Sequence, residues 1–138
     1  KKGPPPSLDL NEEKKNSFFV RELIETRVAK SVHDISDGGI ALATAEICMG
    51  GNIGAEITTN LIGSERVKFL FGEDQARYLI EVNNEDLESL IQLAKAKEVS
   101  LLQLGITRQE HLVVDETKIS VAEMLKLNNN WFHNYNSK

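Results

Sequence analysis

A chain of 138 residues with 41% hydrophobic and 27% charged residues has the composition of one ordinary globular domain. A net charge of -5 provides no basic face, and no aromatic ladder is interleaved with Lys or Arg, which speaks against a nucleic-acid partner. No apolar run reaches the length of a membrane span and no signal-peptide core follows the Lys-Lys-Gly-Pro start, so the chain reads as cytoplasmic, with no membrane partner. The single cysteine, Cys48, rules out an intrachain disulfide and, between Ile47 and Met49, reads as a buried reduced thiol. A first residue that is lysine rather than methionine fits an excised or processed segment.

Residues 1–10 read as a lead-in, because the rings of Pro4, Pro5 and Pro6 fix φ and remove donors, and residues 11–138 read as a single domain. Asp9 followed by Glu12 resembles a capping box, and Phe19, Val20, Leu23 and Ile24 recur on one helical face through about Arg27. A short strand over 28–33 ends at Asp34. Residues 40–49 form a helix apolar on nearly every side, Thr44 and Glu46 excepted, and such a helix belongs in an interior. Gly50-Gly51 is expected to stop it. Residues 53–57 and 77–82 read as strands, with a segment of mixed polarity around 65–71 between them. Asn84 is placed to cap a helix carrying Leu87, Leu90, Ile91 and Ala94 at i, i+3, i+4 and i+7. Residues 101–107, 111–114 and 118–119 read as strands. Ser120 with Glu123 makes a second capping box before Val121, Met124 and Leu125, and the terminal helix is expected to fray after Asn128-Asn129-Asn130. Strands and helices alternate without an internal repeat, which points to an α+β domain with helices packed on one mixed sheet.

The turn between the first strand and the apolar helix carries the chemistry. The opening amides of a helix lack intrahelical acceptors and sit at the positive end of its dipole, and glycines let a ligand approach the backbone. Ser36-Asp37-Gly38-Gly39 therefore has the parts of a phosphate cradle. The same residues suit a plain turn in which Asp37 or Ser36 caps the helix, and Asp34 and Asp37 repel a bare phosphate unless they turn away or Mg²⁺ mediates. A triad of His33, Asp34 and Ser36 fails on geometry, since strand neighbours point to opposite faces. His111 and His133 have no partners at metal spacing. Gly50-Gly51-Asn52-Ile53-Gly54 follows a helix and precedes a strand, the reverse of a dinucleotide fingerprint. The polar, glycine-broken run from Leu70 to Tyr78 reads as a surface connection, or as a stretch whose Gln75 and Arg77 meet a ligand or a neighbouring domain.

Two motifs taken together, "HDISDGGIALATAEICMGGNIGAEI" and then "LFGEDQARYLIEV", resemble the C-terminal part of the phosphoribosylformylglycinamidine synthase family in its small bacterial form. The likeness spans almost the whole chain, with "LGITRQEHLVVD" similar to the family's late strand pair and the Trp131 segment similar to its terminus. In the related aminoimidazole ribonucleotide synthase the turn reads more like Thr-Gly-Gly-Gly, and in the hydrogenase-maturation relative more like Thr-Arg-Gly-Gly. The resemblance implies a fold like the C-terminal domain of aminoimidazole ribonucleotide synthase-type proteins. It also implies an intact enzyme that converts formylglycinamide ribonucleotide to formylglycinamidine ribonucleotide with ATP, Mg²⁺ and ammonia. The implied partners are the remaining domains of the same subunit, a glutaminase subunit and a small accessory subunit. The family's principal nucleotide and metal ligands lie upstream of the matched part, so this chain alone is expected to be inactive and to hold no cofactor of its own. Ser36, Asp37, Gly38 and Gly39 become the candidate phosphate contacts, and Asp34, Gln75 and Arg77 candidate ligand or interdomain contacts. The other reading is a scaffold domain whose turn binds nothing.

Overall fold

The structure, a computed structural model, describes residues 8–136. Pro4, Pro5 and Pro6 of the expected lead-in lie outside the described residues. In chain order the elements are α1 (Leu10–Glu25), β1 (Ala29–Asp34), α2 (Gly39–Gly51), β2 (Gly54–Ile57), α3 (Gly63–Phe71), β3 (Tyr78–Val82), α4 (Leu87–Ala96), β4 (Gly105–Arg108), β5 (His111–Val114), β6 (Thr117–Ser120) and α5 (Val121–Asn136). They fall into two compact units. One is built from the residues up to Ala43 with Val67–Gln103, and the other from Thr44–Arg66 with the residues from Leu104 on.

In the first unit, β1 and β3 form an antiparallel ladder from Ala29 opposite Val82 to Asp34 opposite Tyr78, with an irregularity between Ala29 and Ser31. The Asp9 carboxylate caps α1, accepting from the amides of Asn11 at 2.9 Å and Glu12 at 3.2 Å. Phe19, Val20 and Leu23 share the buried face that the helical spacing assigns them. Phe19 and Leu23 join Leu90 and Ala94 of α4 in one apolar cluster, with Ile80 and Val82 of β3 against it. Leu23 is only 1% exposed, and burial of such a side chain contributes about 1.5–3 kcal/mol. Thr26 closes α1 by donating its hydroxyl to Glu22 O at 2.7 Å, and Arg27 leaves the helix at φ 60°.

In the second unit the sheet order is β4-β2-β5-β6, with β2 and β5 parallel and the other pairs antiparallel. Cys48, Leu112, Val121 and Met124 form its buried cluster. At the β5–β6 turn Asp115 adopts φ 53°. Its carboxylate accepts from the Thr59 amide at 2.7 Å and the Thr59 hydroxyl at 2.9 Å, and pairs with Arg66 at 2.7 Å. The Thr59 amide leads these contacts, with the Thr59 hydroxyl and Arg66 adding to it against the cost of desolvation, and they hold the carboxyl below its ordinary range.

The α+β composition and the mixed sheet appear as expected, but the strands divide between two sheets instead of one. Strand spacing does not encode which strands pair over long range. Five local readings also differ. Gly50 and Gly51 stay helical, and the left-handed residue that ends α2 is Asn52 at φ 49°. The Ile53 amide donates to Cys48 O and the Asn52 amide to Met49 O, the paired bonds of a Schellman motif, and asparagine tolerates the conformation. Asn84 lies inside a short 3₁₀ turn, Asn84–Asp86, and makes no cap; Asn83 instead donates its side-chain amide to Asp86 at 3.2 Å. Residues 101–104 are not a strand, because Leu101 packs on the first unit's apolar cluster before β4 begins. Residues 65–71, read only as a segment of mixed polarity, lie in the helix α3. Finally, α5 continues through the asparagine run, since Leu127, Trp131 and Tyr135 keep the i, i+4 period and the Trp131 and Tyr135 rings lie 6.3 Å apart. The side chain of His133 lies outside the described residues.

Candidate functional site

The site grows from the end of the β1–β3 ladder. Beyond the Asp34–Tyr78 pair, the Ile35 amide donates to Arg77 O at 2.9 Å, so Asp34-Ile35-Ser36 runs beside Gln75-Ala76-Arg77-Tyr78. The chain then reverses through Gly38 at φ 77° and Gly39 at φ 65°, conformations that penalise any side chain. The Gly39 amide returns to Ser36 O at 3.0 Å. A β-carbon on Gly39 would stand 2.7 Å from both Leu70 O and Gly72 O. The glycine therefore serves a close backbone approach as well as the turn.

The anion on this turn is supplied by the protein. Glu73 accepts from the Gly38 amide at 3.1 Å, a contact spanning 35 residues, where local capping by Ser36 or Asp37 was the expectation for a plain turn. The loop carrying Glu73 is itself braced. Arg77 donates to Gly72 O and, at 3.3 Å, to Asp74 O, and pairs with the Asp74 carboxylate at 3.5 Å. Gln75 donates to Glu73 O at 3.5 Å. Ala76 sits at φ 63° with its carbonyl accepting from the Asn16 side chain at 2.9 Å. The two stretches singled out in the sequence, Ser36 to Gly39 and Leu70 to Tyr78, are thus a single interlocked unit.

Beside it lies an open, mainly polar depression of about 180 Å³, lined by Glu13, Asp34, Ile35, Ser36, Gln75, Ala76, Arg77 and Tyr78. It gathers four candidate residues, Asp34, Ser36, Gln75 and Arg77. Asp37, Gly38 and Gly39 are not part of its wall. Glu13 and Tyr78 complete it: the Tyr78 hydroxyl donates to Glu13 at 2.7 Å. That hydrogen bond, reinforced by burial and by the charges of Glu13 and Asp34, pushes the phenol up to about 12. Glu73 and Tyr78 belong to the second motif and were visible there. Glu13 and Asn16 lie in the polar early half of α1, where no sequence pattern distinguishes them from solvated helix positions.

Among the described residues no group of three or more His, Cys, Asp or Glu side chains converges on a metal position. No helix among them is long and apolar enough to cross a membrane.

A mixed-sheet α+β chain with a glycine turn leading from a strand into a half-buried helix defines the class to which this protein is assigned. The chain belongs to the family described as AIR synthase related protein, C-terminal domain, whose model matches residues 5–117. It is 37% identical over 136 residues to phosphoribosylformylglycinamidine synthase subunit PurL of Pelagibacter ubique, covering 98% of this chain and 19% of that protein. To the protein of the same name from Rhodospirillum rubrum it is 41% identical over 134 residues, covering 96% of this chain and 18% of that protein. The chain therefore spans about a fifth of the length of these relatives. Among solved structures, Thermotoga maritima PurL complexed with FGAR matches with a TM-score of 0.73 at 18% identity, over 87% of this chain and 22% of that one. The complex of the same protein with AMPPCP matches with a TM-score of 0.71 at 18% identity, over 81% and 21%. At that identity the structural likeness carries the fold.

Proposed function

We propose that this chain acts as the C-terminal domain of a phosphoribosylformylglycinamidine synthase subunit, in an enzyme that uses ATP and ammonia to convert formylglycinamide ribonucleotide to formylglycinamidine ribonucleotide. The observation that carries the reading is the interlock of Ser36–Gly39 with Leu70–Tyr78. The turn at the head of the first motif and most of the second motif meet directly, and similarity to the PurL relatives runs along nearly the whole chain. Solved relatives complexed with ATP and with FGAR support the same substrates for the intact protein. Within it, Ser36, Asp37, Gly38 and Gly39 contact a phosphate of the ribonucleotide or of a structural nucleotide, which at Gly38 displaces the Glu73 carboxylate. Asp34, Gln75 and Arg77 complete the ligand contact from the neighbouring depression. Mg²⁺ would be held by ligands outside this chain.

The remaining role is packing against the other domains of the subunit, which as a cytoplasmic enzyme also meets a glutaminase subunit and a small accessory subunit. Exposed apolar side chains, among them Ile62 at 87% exposure and Leu127, Trp131 and Tyr135 along α5, offer surface for such packing. The proposed domain takes in Asp9 and Leu10, the cap and first residue of α1, just ahead of the boundary expected at 11. The test is transplantation. This chain replaces the corresponding segment of a relative's synthase subunit in a bacterium that requires purines because it lacks the enzyme. Growth without added purine is expected, and a soluble, folded chimera that fails to restore growth overturns the proposal.

A further inference from the structure

We propose that the exposed edge of β4 docks a second copy of this chain, which adds its own β4 antiparallel across a two-fold axis at Ile106. Among the described residues β4 ends the sheet order β4-β2-β5-β6, and all four of its residues are exposed. Proteins blunt such edges with lysine, proline or a bulge. The strand at the other end, β6, carries Lys118. By contrast β4 reads Gly-Ile-Thr-Arg and pairs with β2 without a break in register, and its one charge, Arg108, is neutralised by Glu56 at 2.8 Å. Two β-branched residues on an edge with no guarding charge favour addition of a further strand.

The direction of the backbone groups selects the register. The Asp115 amide donates to Ile57 O at 2.9 Å, so Ile57 faces β5, and alternation along β2 turns Gly54 and Glu56 toward β4. Their partners Arg108 and Ile106 therefore bond to β2, and Gly105 and Thr107 present N–H and C=O outward. A β-carbon on Gly105 would run into Glu56 O, which places that carbonyl on the β4 side as well. Across a two-fold axis between antiparallel strands a residue lies opposite its own copy, and hydrogen bonds pass only between outward-facing residues. An axis at Ile106 sets Gly105 opposite the partner's Thr107 and Thr107 opposite the partner's Gly105, each pair exchanging two N–H···O=C bonds. Ile106, 49% exposed in one copy, then meets the partner's Ile106 in a non-hydrogen-bonded pair, where opposing side chains lie closest. Arg108 falls opposite the partner's Leu104, so no like charges face each other. An axis at Thr107 would obey the same rule but set Ile106 against the partner's Arg108. The contact is small beside the roughly 1,200–2,000 Å² of stable interfaces, so the dimer is weak, with a Kd of about 1 mM.

The test is sedimentation equilibrium of the 138-residue chain, with amide hydrogen exchange compared at about 0.1 and 3 mM. Reversible dimerisation is expected, with exchange at Gly105 and Thr107 slowed about 2–3-fold at the higher concentration, the change in monomer fraction for that Kd. Thr107→Pro removes the outward N–H without touching a bond to β2, and Ile106→Lys sets two like charges face to face. Each should weaken association at least about tenfold with the circular dichroism of the fold retained. Trp131→Ala, on the exposed side of α5, should associate as the unaltered chain does. Absence of dimer at about 3 mM overturns the proposal. So does association that survives in both β4 variants, or that Trp131→Ala abolishes. Dimerisation with unchanged exchange at Gly105 and Thr107 overturns it too, and this readout decides the matter even if a β4 variant fails to fold.

Discussion

Replacing Gly39 with alanine isolates what the turn demands of its backbone. The added β-carbon would stand 2.7 Å from Leu70 O, 2.7 Å from Gly72 O and 2.8 Å from the carbonyl carbon of Phe71, all main-chain atoms that cannot swing aside as a side-chain tip can. It would also have to adopt φ 65°, a left-handed conformation costing an L-residue about 1–2 kcal/mol. Overpacking adds about 1–3 kcal/mol, so the loss is about 2–5 kcal/mol. With an m-value of about 2 kcal/mol per molar, the urea midpoint followed by circular dichroism falls by about 1–2.5 M. Gly50→Ala is the control: Gly50 is inside α2 with open space around it, so alanine there should stabilise by about 0.5–1 kcal/mol. The reasoning is refuted if Gly39→Ala unfolds at the wild-type midpoint or moves it in the same direction as Gly50→Ala. A bulkier Gly39→Val would strike the same carbonyls, so it cannot serve as a fold-neutral probe of phosphate binding.

Glu73→Ala should expose the Gly38 amide, speeding its hydrogen exchange and costing about 1 kcal/mol, as loss of a helix cap does; unchanged exchange at Gly38 would show that the carboxylate does not hold it. For Asp115 the folded carboxyl lies below its unfolded value of about 3.9, so the stability it contributes is complete above that pH and disappears as pH falls through the lower folded value. Asp115→Asn, which keeps the left-handed turn accessible, should therefore melt below wild type at pH 6, with the gap closing as the pH is taken toward 2. A constant gap across that range would remove the charge from the explanation. Tyr78, pushed to about 12, stabilises the fold fully below its unfolded value of about 10, and this contribution is lost as pH rises through about 12. Glu13→Gln should bring the tyrosinate absorbance transition assigned by Tyr78→Phe down toward 10, and an unmoved transition contradicts the Tyr78–Glu13 bond.

The sequence by itself determined the features that act over a few residues. Helical periodicity located the buried face of α1 at Phe19, Val20 and Leu23, and Asp9 and Ser120 announced helix starts where the structure has them. Local spacing also marked Ser36–Gly39 as a turn into a helix, which the structure leaves half-buried with Leu42 exposed, and the two motifs placed the chain with its relatives. The tertiary structure decided the contacts between distant residues. β1 paired with β3 while β2 took β4 and β5, dividing one expected sheet into two. Glu73 supplied the carboxylate to Gly38 across 35 residues. Glu13 and Asn16, ordinary polar helix positions in the sequence, became a wall and a brace of the depression by meeting Tyr78 and Ala76. The physical reason is common to all three: periodicity and capping report the energy of neighbours along the chain. A strand edge, an exposed amide or a lone carboxylate has many possible partners, and only the folded packing selects one.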